Sequence, residues 1–235
     1  MHMRRKIVKE LTKETEIETQ IKDSELVQKK HFQIAIGASK LFIEKGYFRT
    51  SIREISKATG LTIGNLYDYI TKKEDVLYLV FDVFHSIWVN RLEKEGIFEI
   101  EDPVSQLETA IQKMLELVNE QKEMVLLMNT ESKSLSKNFL KIILEKESGL
   151  VACFEKILKN GVENGVFRVK DPFMFANIIV YLLSIKPLRG WNFKKGYSVG
   201  DIDELVTEFI RNAVTGQEYE NDGPMSHLMN SHVGG

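Results

Sequence analysis

The chain contains 235 residues with a formal net charge of −2, and 43% of them are hydrophobic, so one or two domains with a sizeable core are expected. No apolar run approaches the roughly 18 residues of a membrane-spanning helix, and the start, MHMRRKIVKELTKE, lacks the apolar centre of a signal peptide. The only cysteine, Cys153, excludes an internal disulfide, so the composition favours the cytoplasm and no membrane partner.

Residues 1–23 form an extension that is basic at its start and carries apolar residues at helical spacing, so part of it is predicted to be helical. A long helix is predicted to follow from about Ser24 to Lys45, and Gly46 is expected to end it. The buried stripe of this helix is formed by Ile34, Ala38, Leu41 and Phe42.

The stretch TSIREISKATGLTIGNLYDYITKKED, residues 50–75, contains start and stop signals for short helices. Ser51 precedes Glu54 by three residues, which is the spacing of a capping box. Gly60 suits the left-handed position that follows a helix end. A first short helix is therefore predicted between Ser51 and Gly60.

A second short helix is predicted directly after this turn. Thr62 can cap it, and we expect it to include Tyr69 and to reach Ile70. Thr71 and Glu74 repeat the capping-box spacing and are expected to open a third helix. Two short helices around a tight glycine-containing turn form a helix-turn-helix, whose second helix enters the major groove of DNA.

The side chains of this region also follow a family order. The matching residues are Ala38, Leu41, Phe42, Gly46, Tyr47, Thr50, Ser51, Ile52, Glu54, Ile55, Gly60, Leu61, Gly64, Leu66, Tyr67, Lys73 and Glu74. In this order they resemble the TetR family of bacterial transcriptional regulators, with departures at Ser56, Ile63 and Tyr69. The resemblance implies an all-α fold, with a three-helix DNA-binding domain over residues 24–71 and a helical effector-binding and dimerisation domain over 72–215.

Through the resemblance, nine residues are candidate DNA contacts: Thr50, Ser51, Arg53, Thr62, Ile63, Asn65, Tyr67, Tyr69 and Lys73. The hydroxyls of Thr50, Ser51 and Tyr67 suit phosphate oxygens, although the Tyr67 ring can also pack beneath its helix, and Lys73 adds a positive charge. Between residues 24 and 80, nine Lys and Arg stand against six Asp and Glu, so the expected DNA-binding domain is cationic within an acidic chain.

Base reading is assigned by side-chain chemistry at the positions that the resemblance places in the groove. Arg53 suits guanine and Asn65 suits adenine, and Thr62 or Tyr69 is expected to assist. A solvated surface position is the alternative for Arg53. The basic start of residues 1–23 is either an arm on DNA or a frayed terminus.

A long helix is predicted from Lys72 to about Glu95. Its apolar positions keep helical spacing: Val76, Val80, Val83, Phe84, Ile87 and Trp88. Such a helix must contact both the N-terminal domain and a second core, so we interpret it as the connector between them. The resemblance implies that its movement transmits effector binding to the DNA-reading helices.

The rest of the chain is predicted as helices, and no strand pattern competes. Pro103 and Pro172 can each occupy a first helical turn, and Asp201 is expected to cap the last helix. The predicted helical segments are about 104–119, 124–129, 139–161, 172–183 and 201–214, with a loop over 186–200 and a disordered tail over 216–235.

The last two helices, about 171–186 and 201–214, carry more apolar surface than the core of one subunit requires. We therefore expect them to form a four-helix bundle between the two subunits of a homodimer, with burial inside one chain as the alternative. A two-fold dimer can reach successive major grooves, so the expected partner is pseudo-palindromic double-stranded operator DNA.

A core rich in Phe, Met and Leu favours an apolar effector pocket in the C-terminal domain. His85 and Asn129 are the candidate polar anchors, and plain core packing is the alternative for every lining residue. The candidates are Phe84, His85, Trp88, Met114, Met124, Met128, Asn129, Phe154 and Tyr181.

The segment RGWNFKKGY, residues 189–197, interleaves basic and aromatic side chains. It suits an anionic group such as a carboxylate or phosphate, which is consistent with a fatty acid or acyl-CoA as the effector. A solvated connector or a part of the dimer edge is the alternative.

The sequence favours a ligand-responsive regulator that leaves its operator when a small apolar or amphipathic effector binds, and repression follows from the resemblance alone. An enzyme would need a convergent nucleophile, base or metal set. The five histidines are scattered and Cys153 lies on an apolar stripe, so no catalytic residue, metal ligand or cofactor is expected. A constitutive or architectural DNA-binding protein without an effector is the other alternative.

Overall fold

The computed structural model describes residues 17–193 and 196–216, and every regular element in these ranges is helical, as the all-α prediction requires. The expectations for residues 1–16 and 217–235, a helical arm and a disordered tail, lie outside the described residues. The α-helices are α1 (Ser24–Lys45), α2 (Ile52–Thr59), α3 (Ile63–Tyr67), α4 (Lys73–Lys94), α5 (Pro103–Glu120), α6 (Lys122–Glu131), α7 (Lys137–Glu163), α8 (Pro172–Leu183), α9 (Ile185–Phe193) and α10 (Val199–Thr215).

Helices α2 and α3 form the helix-turn-helix through the local signals that the sequence carries. The Ser51 hydroxyl accepts the Glu54 N–H, and the Glu54 carboxylate accepts the Ser51 N–H at 2.9 Å, which completes the capping box. Gly60, with φ of +71°, follows α2 in left-handed geometry, and Thr62 caps α3 by accepting the N–H of Asn65. These predictions are confirmed.

Helix α3 is shorter than the sequence suggested. It ends at Tyr67, so Tyr69 and Ile70 lie in the turn before α4, where both side chains are buried. The prediction that α3 reaches Ile70 is therefore wrong. The backbone leaves the helix after Tyr67, because the side chains of Tyr69 and Ile70 fill the core beneath it.

The start of α4 is capped by Asp75 and not by Glu74. The Asp75 carboxylate accepts the N–H groups of Thr71 at 2.7 Å and Lys72 at 3.0 Å, so the capping box expected between Thr71 and Glu74 is wrong. The Glu74 carboxylate instead accepts the N–H of Ser136 at 2.5 Å, just before α7. Free N–H groups at a helix start attract such an acceptor, and here a tertiary partner replaces the local one.

The described chain begins with a non-helical segment that packs on this domain. Ile17 is buried, and the N–H of Gln20 donates to the carbonyl of Asp68 at 3.0 Å. Asp23 then caps α1 by accepting two N–H groups of its first turn. Packed chain therefore starts before the expected domain boundary at Ser24.

Helix α4 contacts α1 of the N-terminal domain as well as α5 and α7 of the C-terminal domain, so its position agrees with the connector that the sequence suggested. The 27-residue α7 packs against α4, α5 and α8, and α10 packs against α5 and α8. No single described helix is long and apolar enough to cross a membrane. Among the described helices, only α8 and α9, which are bent relative to each other, have sufficient length and hydrophobicity when taken together.

Two predictions for the C-terminal end need correction. Helix α9 occupies much of the expected loop 186–200, because Pro187 lies in its first turn, where the missing N–H costs no hydrogen bond. Ser198, and not Asp201, caps α10: its hydroxyl accepts the Asp201 N–H at 3.1 Å, and the Asp201 carboxylate accepts the Ser198 N–H at 2.7 Å. Asp201 is thus the third position of a capping box.

Candidate nucleic-acid interface and ligand cavity

Most of the candidate DNA contacts are exposed on α2, on α3 and at their caps. The helix caps hold the backbone of both helices in place, so the exposed side chains project from a fixed frame. The six exposed candidates are Ser51, Arg53, Thr62, Ile63, Asn65 and Tyr67.

Thr50 and Tyr69 do not share this exposure. The Thr50 side chain is 1% exposed, and its hydroxyl donates to the carbonyl of Gly46 at 2.9 Å. Tyr69 is 7% exposed, and its carbonyl oxygen lies 2.9 Å from Nε2 of His31. Both side chains therefore pack within the domain, and a DNA contact by either residue stays a prediction.

Lys73 is half-buried, and its side chain contacts other residues of the N-terminal domain. Its ammonium donates to the carbonyl oxygens of Tyr47 and Thr50, each at 3.1 Å, and lies 4.4 Å from the centre of the Tyr47 ring. It thereby ties the segment before α2 to the first turn of α4. A phosphate contact by the same ammonium stays a prediction.

The acidic residue beside Arg53, Glu54, is paired with Lys45 at the end of α1. Lys45 lies 2.5 Å from the Glu54 carboxylate, and this ammonium, together with the N–H and O–H of Ser51, lowers the pKa of Glu54 to about 2. Glu54 therefore stays ionised near pH 7 and holds the capping box, while its charge is paired with Lys45.

A cavity of about 630 Å³ lies between α4, α6, α7, α8 and α9. Six of the predicted lining residues do line it: Phe84, His85, Trp88, Met128, Asn129 and Tyr181. Met114, Met124 and Phe154 do not. Their side chains are buried in the packing between helices, so the expectation for these three is wrong.

One face of α7 supplies cavity walls that were not anticipated. Its members share helical spacing, which is the sequence signal that could have identified them once α7 was placed beside α4. Further lining residues come from α4, α6, α8, α9 and the turn before α7. The additional lining residues are Phe81, Val125, Ser132, Leu140, Ile143, Leu144, Glu147, Ser148, Leu150, Val151, Asn177, Val180, Ser184 and Leu188.

The cavity walls are mainly apolar, and the lining residues within 17–193 and 196–216 include no Lys or Arg. Burial lowers the pKa of His85 to about 4, with the charge of Lys146 adding to the shift, so this imidazole is neutral near pH 7. Burial raises the pKa of Glu147 above its ordinary value. Nε2 of His85 and Nε1 of Trp88 have no hydrogen-bond partner in the described part of the chain.

The cation next to Glu147 is directed elsewhere. Lys146 is 5% exposed, and its ammonium forms an ion pair with Asp82 of α4. Adjacent residues of α7 therefore have different tasks: Lys146 links α7 to α4, and Glu147 lines the cavity.

The segment 189–197 does not form the expected anion site in the described residues. Most of it belongs to α9, where the guanidinium of Arg189 lies 5.4 Å from the centre of the exposed Trp191 ring. Lys194 and Lys195 lie outside the described residues. Of residues 185–193, only Leu188 lines the cavity. Within the ranges 17–193 and 196–216, no group of three His, Cys, Asp or Glu side chains could hold a metal ion.

Two family models match the chain. Residues 36–78 match the model described as bacterial regulatory proteins, tetR family, and residues 101–215 match the one described as tetracyclin repressor-like, C-terminal domain. Together they cover about two thirds of the chain, including the helix-turn-helix and most of the cavity-bearing domain.

Individual known proteins are similar over most of their length. The HTH-type transcriptional regulator HbdR of Aromatoleum sp. (strain CIB) is 25% identical over 199 residues, covering 83% of this chain and 86% of the relative. FadR from Bacillus subtilis, solved in complex with stearoyl-CoA, has a TM-score of 0.67 at 21% identity, over 77% of this chain and 98% of that one. AibR, solved with isovaleryl coenzyme A and operator DNA, has a TM-score of 0.64 at 20% identity, over 79% and 98%. The two structures share the fold of this chain.

Proposed function

This chain belongs to the TetR family of bacterial transcriptional regulators, and we propose that it is a repressor that releases its operator when an acyl thioester occupies the cavity. The observation that carries the proposal is the place of the cavity, whose wall includes Phe81, Phe84, His85 and Trp88 of the connector helix α4. A ligand in the cavity would touch the helix whose first turn supports the helix-turn-helix. Such a repressor acts in the cytoplasm, where the operator is.

The exposed side chains of α2 and α3 are the proposed DNA-reading surface. Arg53 and Asn65 would contact base edges, and Ser51 and Tyr67 would contact phosphates. Thr62 combines capping with an exposed side chain at the start of α3, where a groove-bound helix makes its first contacts.

The proposed dimer interface consists of α8 and α10. Apolar side chains on these helices are exposed in one subunit, and exposed apolar patches commonly mark interaction surfaces. Two copies of the helix pair would form the intersubunit four-helix bundle. The exposed residues are Phe173, Met174, Ile178, Tyr181 and Phe209.

The charge of the cavity favours a thioester over a free acid. A fatty acid buried whole would place its carboxylate in a cavity whose described lining residues include no Lys or Arg and do include Glu147. A thioester leaves its charged groups outside and inserts only a neutral acyl group. The coenzyme A esters bound by FadR and AibR, with acyl parts of very different size, support this class of ligand.

Helix α7 offers a route from the cavity to the DNA-binding helices. Its middle lines the cavity, and at its start the Glu74 carboxylate of α4 accepts the Ser136 N–H at 2.5 Å. The rings of Tyr78 and Phe139 stack there with centres 4.3 Å apart. A ligand that separates α7 from α4 would therefore displace the first turn of α4.

The next contact leads into the N-terminal domain. Lys73, adjacent to Glu74, holds the carbonyl oxygens of Tyr47 and Thr50 immediately before the capping box of α2. Displacement of this turn would change the orientation of α2 and α3. A coupling of about 1–3 kcal/mol between the two sites suffices for release at ordinary ligand concentrations.

The proposal is tested with labelled DNA selected from a random duplex library by the purified full chain. Fluorescence anisotropy would follow release by decanoyl-CoA and stearoyl-CoA, with coenzyme A and decanoic acid as matched controls. We expect release by at least one acyl-CoA and none by either control at equal concentration. Failure of the whole range from acetyl-CoA to stearoyl-CoA to release the DNA would favour a constitutive DNA-binding protein.

A further inference from the structure

We propose that Lys137 and Lys141 of α7 bind the phosphate groups of the thioester ligand, in an open groove that continues from the mouth of the cavity. The inference rests on the proposed function, because it assigns a place to the charged part of the same ligand. It adds two binding residues, and it makes a phosphorylated carrier such as coenzyme A a requirement for tight binding.

The first support is the continuity of the cavity with a second depression on the surface. A groove of about 370 Å³ runs along the first half of α7, and its described lining residues all belong to that helix. Three of them, Leu140, Leu144 and Ser148, also line the cavity. Because they are spaced four residues apart, they form one ridge of α7 that borders both spaces. A ligand that crosses this ridge passes from the cavity directly into the groove.

The second support is the exposure of this common border. The apolar side chain of Leu144 is 50% exposed, and Ser148, one helical turn further along, is exposed as well. The border is therefore a rim that is open to water. A thioester with its acyl group in the cavity can cross this rim, and the uncharged arm of its carrier would then cover the Leu144 side chain.

The third support is the difference in charge between the two spaces. The described lining residues of the cavity include no Lys or Arg, whereas Lys137 and Lys141 line the groove. These two lysines are four residues apart, so their side chains leave the same face of α7 and can contact one diphosphate group together. The phosphates, which the cavity cannot accommodate, would therefore meet positive charge just outside it.

The ammonium groups of both lysines are available to a ligand. No carboxylate within residues 17–193 and 196–216 forms an ion pair with Lys137. Lys141 lies 3.8 Å from the Glu145 carboxylate, but the two side chains are 77% and 52% exposed, so water screens this pair. A phosphate group carries more charge than a carboxylate and can displace Glu145 from Lys141. Glu145 is thus a competitor that weakens the site.

The test compares decanoyl-CoA with S-decanoyl-pantetheine, which carries the same acyl thioester but no phosphate, by isothermal titration calorimetry on the full chain. We expect the wild type to bind decanoyl-CoA about tenfold more tightly in low salt, since each exposed charge contact contributes only modestly. High salt should remove most of this preference, because it screens exposed charges. Lys137→Ala combined with Lys141→Ala should also remove it, without changing the affinity for S-decanoyl-pantetheine.

A matched double variant separates the groove from the general charge of the protein. Lys156→Ala combined with Lys159→Ala removes the same charge from exposed positions of α7 that line neither the cavity nor the groove. This variant should keep the preference for decanoyl-CoA. A loss of the preference here would show that overall charge, and not the groove, attracts the phosphates.

Glu145→Gln gives an independent readout, because it should strengthen binding. The change removes the carboxylate that competes for Lys141, so we expect decanoyl-CoA to bind about two- to threefold more tightly than to the wild type. The affinity for S-decanoyl-pantetheine should not change. General damage to the fold cannot produce a gain for one of the two esters alone.

The outcomes distinguish this inference from the proposed function. Equal affinity of the wild type for both esters, with DNA still released by decanoyl-CoA, would overturn the inference alone. A preference that survives the removal of Lys137 and Lys141 would also overturn it, because another surface would then hold the phosphates. So would an equal loss for both esters in that variant, since the lysines would then act on the part that the esters share. Absence of binding by any acyl thioester would overturn both proposals.

Discussion

Asn65 combines a fixed backbone with a free side chain. Its N–H is held by the Thr62 hydroxyl at 3.1 Å, and its amide is exposed on α3. Thr50, fifteen positions earlier in a similar polar context, is instead buried, and its hydroxyl donates to the carbonyl of Gly46. Burial of this kind depends on how α1 meets α2, so the residue type alone could not reveal it.

Replacement of Asn65 by Ala should relax discrimination at one base pair. We expect a loss of roughly 1–3 kcal/mol on the selected operator and little change on random DNA, because the amide would read a base edge and not a phosphate. Competition anisotropy measures both affinities, with Asn138→Ala on the exposed surface of α7 as the matched control. An equal loss on both DNAs would contradict the assignment.

His85 should make the protein less stable as the pH falls. Its folded pKa of about 4 lies below the ordinary value of 6.5, so the unfolded chain binds the proton first on acidification. Stability is therefore full above pH 6.5 and is lost towards pH 4, by up to roughly 3 kcal/mol. Urea unfolding at pH 7.5, 6 and 5 should show a smaller decline for His85→Gln than for the wild type. Parallel declines would show that His85 does not cause this dependence.

Helices with local signals could be predicted closely, and helices defined by tertiary contacts could not. The capping box of Ser51 and Glu54 and the left-handed Gly60 placed α2 correctly, because all of their partners lie within one turn. Glu74 had the same spacing from Thr71, yet it pairs with Ser136, 62 positions away. No local pattern contains that information.

The cavity walls, too, could be predicted from local sequence patterns only in part. The residue types of the predicted core indicated Phe84, His85 and Trp88 of α4 as wall residues, and all three line the cavity. They could not distinguish these residues from Met114 and Phe154, which have equally good spacing but face neighbouring helices. Whether an apolar side chain fills space or borders it depends on the distance between helices, and this is a property of the packed fold.

Helices α4 and α7 should be coupled through Glu74. Glu74→Ala removes the acceptor of the Ser136 N–H, so we expect decanoyl-CoA to change DNA affinity by a smaller factor than in the wild type, a reduction of about 0.5–2 kcal/mol in coupling. Anisotropy with and without the ligand gives this factor. Glu101→Ala, at an exposed site before α5, is the control. An unchanged factor in Glu74→Ala would exclude this contact from the route.

The proposed dimer depends on apolar side chains that a lone subunit leaves in water. Ile178→Glu combined with Phe209→Glu places two charges on α8 and α10, so we expect a monomer that binds a palindromic operator far more weakly. Light scattering at micromolar concentration measures the mass. Val162→Glu, at an exposed apolar position of α7, should remain dimeric. A monomeric wild type would contradict the proposed assembly.

Two adjacent residues of α7, Lys146 and Glu147, have different roles. Lys146 anchors α7 to Asp82, whereas Glu147 borders the cavity without a described partner. Substitutions at Glu147 therefore alter the lining of the cavity while the anchor to Asp82 stays intact. In the proposed regulator, this separation would let the cavity lining change in single mutational steps without loosening the contact between α7 and α4.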